Sequence, residues 1–148
     1  MADNLTDFLS SRKKRKFATD SGSGAHTKMQ HIIIDGDREK GDADLIRKIK
    51  LRPEILPYFS RKSRSEVPIA GKINGRIISR RIDRMIVNND DKTIVFIDYK
   101  TDLDKNAFRD KYAKQMSEYS QLLKNIYPDY SVRGLILWLH DFTVEQIS

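Results

Sequence analysis

The chain has 148 residues, 28 of them Lys or Arg against 21 Asp or Glu, and its formal net charge is +7. This length allows one domain, or one domain with a tail, and excludes a multidomain motor. Cysteine is absent, which removes disulfides, zinc–thiolate sites, iron–sulfur clusters and thiol nucleophiles. No apolar run approaches the ~20 residues of a membrane span, and the N-terminus lacks the apolar core of a signal peptide. The expectation is a soluble, cytoplasmic, basic domain with no membrane partner and with a polyanion as its candidate partner.

Residues 1–24 differ from the rest. Arg12-Lys13-Lys14-Arg15-Lys16 is followed by Ser21-Gly22-Ser23-Gly24, and repelling charges next to Gly/Ser predict a flexible basic arm. Such a run serves as a localisation signal, a nucleic-acid-binding arm or a solvated helix end. Residues 25–148 carry the domain. Ala25 to Ile34 reads as a short helix entering a turn at Asp35-Gly36-Asp37. Asp42 to Leu51 places Leu45, Ile46 and Ile49 at helical spacing, closed by Pro53. A short connection, helical in part, spans Glu54 to Arg64.

Glu66 to Ile73 is expected as a strand that Pro68 pushes toward a sheet edge. Gly75 to Val87 is β-rich, Asn88-Asn89-Asp90-Asp91 is a turn, and Thr93 to Lys100 is a strand apolar on both faces. Asp104 to Tyr127 then adopts a period of 3.6, with Phe108, Tyr112, Met116, Tyr119, Leu123 and Ile126 on one stripe and Pro128 as its stop. Val132 to Leu139 is a further buried strand. Strand, long crossover helix and strand imply a parallel pairing, so the fold class is α/β (α+β), a mixed sheet containing a β-meander with flanking helices.

Two features break the local pattern. Asp98 and Lys100 end an apolar strand at i, i+2 and therefore share a face. Asp83 lies in the preceding strand inside an apolar frame, and pairing through the 88–91 turn, with a bulge or stagger, brings it to Asp98. Two adjacent carboxylates repel unless a proton or a divalent cation sits between them, and oxygen donors select Mg²⁺ or Mn²⁺. A neighbouring lysine can hold a water or offset charge on a phosphoryl group. The same residues also fit an ordinary Asp–Lys pair at a strand end. On the helix, Gln115 and Tyr119 share a face with Tyr112. A glutamine in an apolar stripe either reaches a partner across a cleft or is a tolerated boundary residue.

Three runs carry a resemblance: Asn74-Gly75-Arg76-Ile77-Ile78-Ser79-Arg80-Arg81-Ile82-Asp83-Arg84-Met85, Phe96-Ile97-Asp98-Tyr99-Lys100-Thr101, and Tyr112-Ala113-Lys114-Gln115-Met116-Ser117-Glu118-Tyr119. In this order they resemble the RecB-type branch of the PD-(D/E)XK nucleases, most closely the nuclease domain of the AddA type that acts in bacterial double-strand break repair. The likeness extends back to His26, which stands four residues after Gly22 and ahead of Met29-Gln30, as in the family's G-x-x-x-H-x-x-[LM]-Q helix. His31 is read as structural. The resemblance implies a restriction-endonuclease-like core, DNA as substrate and partner, and Mg²⁺ or Mn²⁺ held by His26, Asp83, Asp98 and the carbonyl of Tyr99. Lys100 would position the attacking water, Gln115 and Tyr119 would align the DNA strand, and Glu66 is a weaker candidate behind them. The segment Arg61 to Arg84 has eight Lys or Arg against Glu66 and Asp83, and Arg76, Arg80, Arg81 and Arg84 are the expected phosphate contacts.

The family carries this domain behind an ATP-driven motor, whereas the sequence has no G-x-x-x-x-G-K-[ST] loop. A free-standing domain, a split or remnant gene product, or a fragment is expected, with a separately encoded helicase or AddB-like subunit as a candidate partner. The competing reading is an inactive DNA- or protein-binding module that retains the fold.

Overall fold

A computed structural model describes residues 24–147. The basic arm expected over residues 1–24 therefore lies almost wholly outside the described residues. Residues 24–30 are helical (α1). A small antiparallel hairpin follows, β1 (Ile33–Asp35) with β2 (Arg38–Lys40), then α2 (Ala43–Lys50) and a 3₁₀ turn at Leu56–Phe59. The expected helix over 25–34 thus stops early. Ile32-Ile33-Ile34 is β-branched and meets an Asp-Gly turn with Gly36 at φ 65°, which favours a hairpin over another helical turn.

The main sheet is β3 (Arg64–Ile73), β4 (Arg76–Asn88), β5 (Thr93–Lys100), β6 (Ser131–Trp138) and β7 (Thr143–Gln146), in that spatial order. β3, β4 and β5 form the antiparallel meander, β5 and β6 run parallel, and β7 returns antiparallel on β6. Pro68 sits on the edge strand β3, the position in a sheet that tolerates a residue without an N–H. Between β5 and β6 runs α3 (Lys105–Ile126), capped by Asp104, whose carboxylate accepts from the Ala107 N–H at 3.1 Å. The class is α/β with a mixed central sheet.

β5 is central and alternates strictly. Ile94 and Phe96 join Met116, Leu122 and Leu123 of α3 in one core, whereas Ile97 and Tyr99 join Met29, Ile32, Ile49 and Phe59 in a second core on the opposite face. That pattern dictates the site, because the next residues of the α3 face are Asp98 and Lys100. β4 obeys the rule only in part. Met85 and Ile82, three apart, both belong to the α3-side core, which regular alternation forbids. The irregularity falls where Glu66 stands opposite Asp83, and Glu66 takes φ 54°. Such a break re-aims side chains beside a functional site.

Candidate metal and nucleic-acid site

Asp83 and Asp98 meet across the β4–β5 ladder without a bulge between those strands. The four residues 89–92 close the hairpin, Asn88 pairs with Thr93, and the register at Arg84 and Ile97 sets Asp83 beside Asp98. Both carboxylates are buried. Burial and then the charge of Asp98 push the Asp83 carboxyl up to about 8, while a hydrogen bond from the Tyr99 N–H to its Oδ2 at 2.8 Å opposes the shift. Asp98 Oδ2 lies 2.7 Å from Lys100 Nζ as an ion pair. The contact is not aligned as a hydrogen bond, so this buried oxygen accepts none.

His26 reaches the same place from α1. Its Nε2 is 3.1 Å from the Tyr99 carbonyl, its Nδ1 is 4.0 Å from Asp83 Oδ1, and its ring meets the Tyr99 ring edge-on. The four expected donors therefore converge, and an imidazole with oxygen donors fits a Mg²⁺ or Mn²⁺ site. They do not form a ready-made cage: among the described residues no three His, Asp or Glu side chains stand together as one. A cation held here would meet the Asp98 oxygen that accepts no hydrogen bond and would offset the repulsion that raises the Asp83 carboxyl.

Lys100 continues the chain of contacts. Its ammonium donates to Gln115 Oε1 at 2.8 Å and lies 4.0 Å above the centre of the Tyr112 ring. Gln115 in turn donates from Nε2 to the Tyr119 hydroxyl at 2.9 Å. Tyr119 is buried against Phe96, so it orients Gln115 from behind instead of facing a ligand itself. Burial and the nearby Asp98 and Asp83 charges keep its phenol protonated well above the usual tyrosine range.

A groove of about 580 Å³ opens over this chain, lined by Arg80, Lys100, Lys111, Tyr112, Lys114, Gln115 and Glu118. Arg80 stands on its rim, paired with Glu118 at 3.1 Å. Arg76 and Arg81 are exposed on the β3–β4 hairpin, and Arg81 approaches Glu66 at 3.8 Å. Arg84 is a correction. It is 1% exposed and spends its donors inside the protein, on Tyr99, Ser63, Met29 and Ile32, so its side chain is withdrawn from any phosphate. Sequence reasoning also passed over Lys111 and Lys114. Their signal was available, since they continue the Gln115–Glu118 side of the helix at i, i+3 and i+4 spacing.

Compared with family models and with curated proteins, the chain matches none.

Proposed function

We propose that the chain is a divalent-metal-dependent DNA nuclease that hydrolyses phosphodiester bonds, of the RecB-type PD-(D/E)XK kind that serves double-strand break repair. The observation that carries the reading is the unbroken line of contacts from His26 and Tyr99 through Asp83 and Asp98 to Lys100, Gln115 and Tyr119, beneath a groove rimmed by cations. His26, Asp83, Asp98 and the Tyr99 carbonyl would hold the metal, which when bound supplies Lewis-acid stabilisation of charge on the phosphoryl oxygens. The protein's own residues do the positioning. An ammonium has three donors; Gln115 takes one and Asp98 faces another, so the third is left for a water or a phosphate oxygen. The Tyr112 ring beneath Lys100 and the Tyr119 hydroxyl behind Gln115 fix that direction. Lys111, Lys114 and Arg80 would track the DNA backbone across the groove.

The test is incubation of purified protein with linear single- and double-stranded DNA in Mg²⁺ or Mn²⁺. Cleavage is expected, and Asp98→Ala and Lys100→Ala are expected to abolish it. Cleavage that survives both substitutions overturns these roles, and salt-sensitive binding without cleavage in either metal supports the binding-module reading.

A further inference from the structure

Among the described residues, Arg84 is a buried charge that the proposed reaction does not use. Arg84 is sealed in the core opposite α3, its guanidinium 4.3 Å from the centre of the Phe59 ring. Among the described residues no carboxylate stands within ion-pair distance of it. A buried cation without a counter-ion is costly unless its donors are matched, and here they are. Nε donates to the Tyr99 hydroxyl at 2.8 Å and Nη1 to Ser63 Oγ at 2.8 Å. Nη2 donates to the carbonyls of Met29 at 2.9 Å and Ile32 at 3.0 Å. Those two carbonyls lie at and just past the end of α1, where a helix leaves acceptors unsatisfied and favours a cation. His26 stands one turn before Met29. Tyr99, the other anchor, gives its carbonyl to His26 and its N–H to Asp83.

We propose that Arg84 is a positioning residue that clamps the end of α1 to the Tyr99 ring and so holds the His26 imidazole at the Tyr99 carbonyl, beside Asp83. The inference deepens the nuclease reading and rests on it for the metal. Arginine is required because only its planar fork serves acceptors in three directions at once; a lysine point charge reaches fewer of them. An apolar residue of similar length preserves the packing but removes a donor from all four groups, and leaves the Met29 carbonyl only the Ile32 N–H. The side chain thus gives the second core and the site a common anchor: the same guanidinium that closes α1 onto the sheet fixes the spacing between two of the metal donors.

Arg84→Lys and Tyr99→Phe test the clamp, with circular dichroism and thermal melts to establish that each folds. Tyr99→Phe keeps the ring and the other Arg84 bonds. Two readouts follow: the imidazole NMR resonances of His26 in the metal-free protein, and Mn²⁺ affinity by calorimetric titration, the affinity being measured with and without His26→Ala. Both substitutions are expected to broaden or shift the His26 resonances and to weaken Mn²⁺ binding by about 10–100-fold, the usual range for residues behind a metal ligand. In the His26→Ala background they are expected to cost no further affinity. Unchanged His26 resonances in both variants overturn the proposal, as does an equal loss of affinity with and without His26. If the wild-type protein binds no Mn²⁺, the nuclease reading falls, and the His26 resonances alone decide the clamp.

Discussion

Asp83 is buried, faces Asp98 across the ladder and carries a carboxyl pushed up to about 8 from an ordinary value of 3.8. In the metal-free protein the folded state therefore keeps a proton that the unfolded chain loses near pH 4. The stability tied to Asp83 is complete below that value and is lost as pH rises through about 8. Melting temperatures in a chelator are expected to fall from pH 5 to pH 9, Asp83→Asn to flatten the decline, and Mn²⁺ to restore stability most strongly at the alkaline end. A second expectation concerns Gln115, the residue that aims Lys100. Gln115→Ala frees the ammonium and is expected to lower kcat by about 10–100-fold with little change in Mn²⁺ affinity. At this scale the sequence was informative where spacing alone decides direction: Asp98 and Lys100 had to share a face, and Gln115 and Tyr119 had to share another. Arg84 was not legible. It stands in a basic run beside Arg80 and Arg81, and the break in alternation at Glu66 and Asp83 hides which way it points.

The elements hold these residues through close approach of their backbones. Gly134 on β6 lies under the Phe96 ring of β5, so that a methyl added there would come within 2.5 Å of Phe96 Cζ. Phe96 is fully buried beside Tyr119 and precedes Asp98 on the same face. Gly134→Ala is expected to destabilise the fold by about 1–3 kcal/mol, measured by chemical denaturation, because a central sheet position has little freedom to relax. The capping residue of α3 gives a smaller effect: Asp104→Ala is expected to cost about 1 kcal/mol. β5 ran over the predicted residues, and β6 and α3 were offset by one residue at each end, since each carries a long run with a single period and an obvious stop. The β1–β2 hairpin and β7 escaped because strands of three or four residues, most of them half-exposed or exposed, show no period to read. β7 is held by the ladder of β6 and by Arg109 of α3, which pairs with Glu145 at 2.9 Å, tertiary causes that local sequence does not announce.

At the scale of the whole molecule, the groove sets the two sheet carboxylates deeper than the cations around it. The carboxylates Asp83 and Asp98 are buried at the sheet, whereas Lys111, Lys114 and Arg80 stand exposed around the groove mouth. Such layering attracts a polyanion to the rim while reserving the floor for a small cation. It also predicts unequal contributions from the rim. Arg80 already shares its charge with Glu118, so a phosphate must compete with a resident carboxylate for it. Lys111 and Lys114 face the groove from α3, and a bound strand releases counter-ions wherever it meets them. With single-stranded DNA, log Kd plotted against log salt has a slope set by about 0.7 per phosphate neutralised. Lys111→Gln with Lys114→Gln is expected to lower that slope by about 1.4, to weaken binding of all sequences equally and to leave Mn²⁺ affinity unchanged. Arg80→Gln is expected to change the slope by less than either lysine does. An unaltered slope in the double lysine variant, read by fluorescence anisotropy across 50–300 mM salt, would place the DNA on another face and separate the basic rim from the carboxylates beneath it.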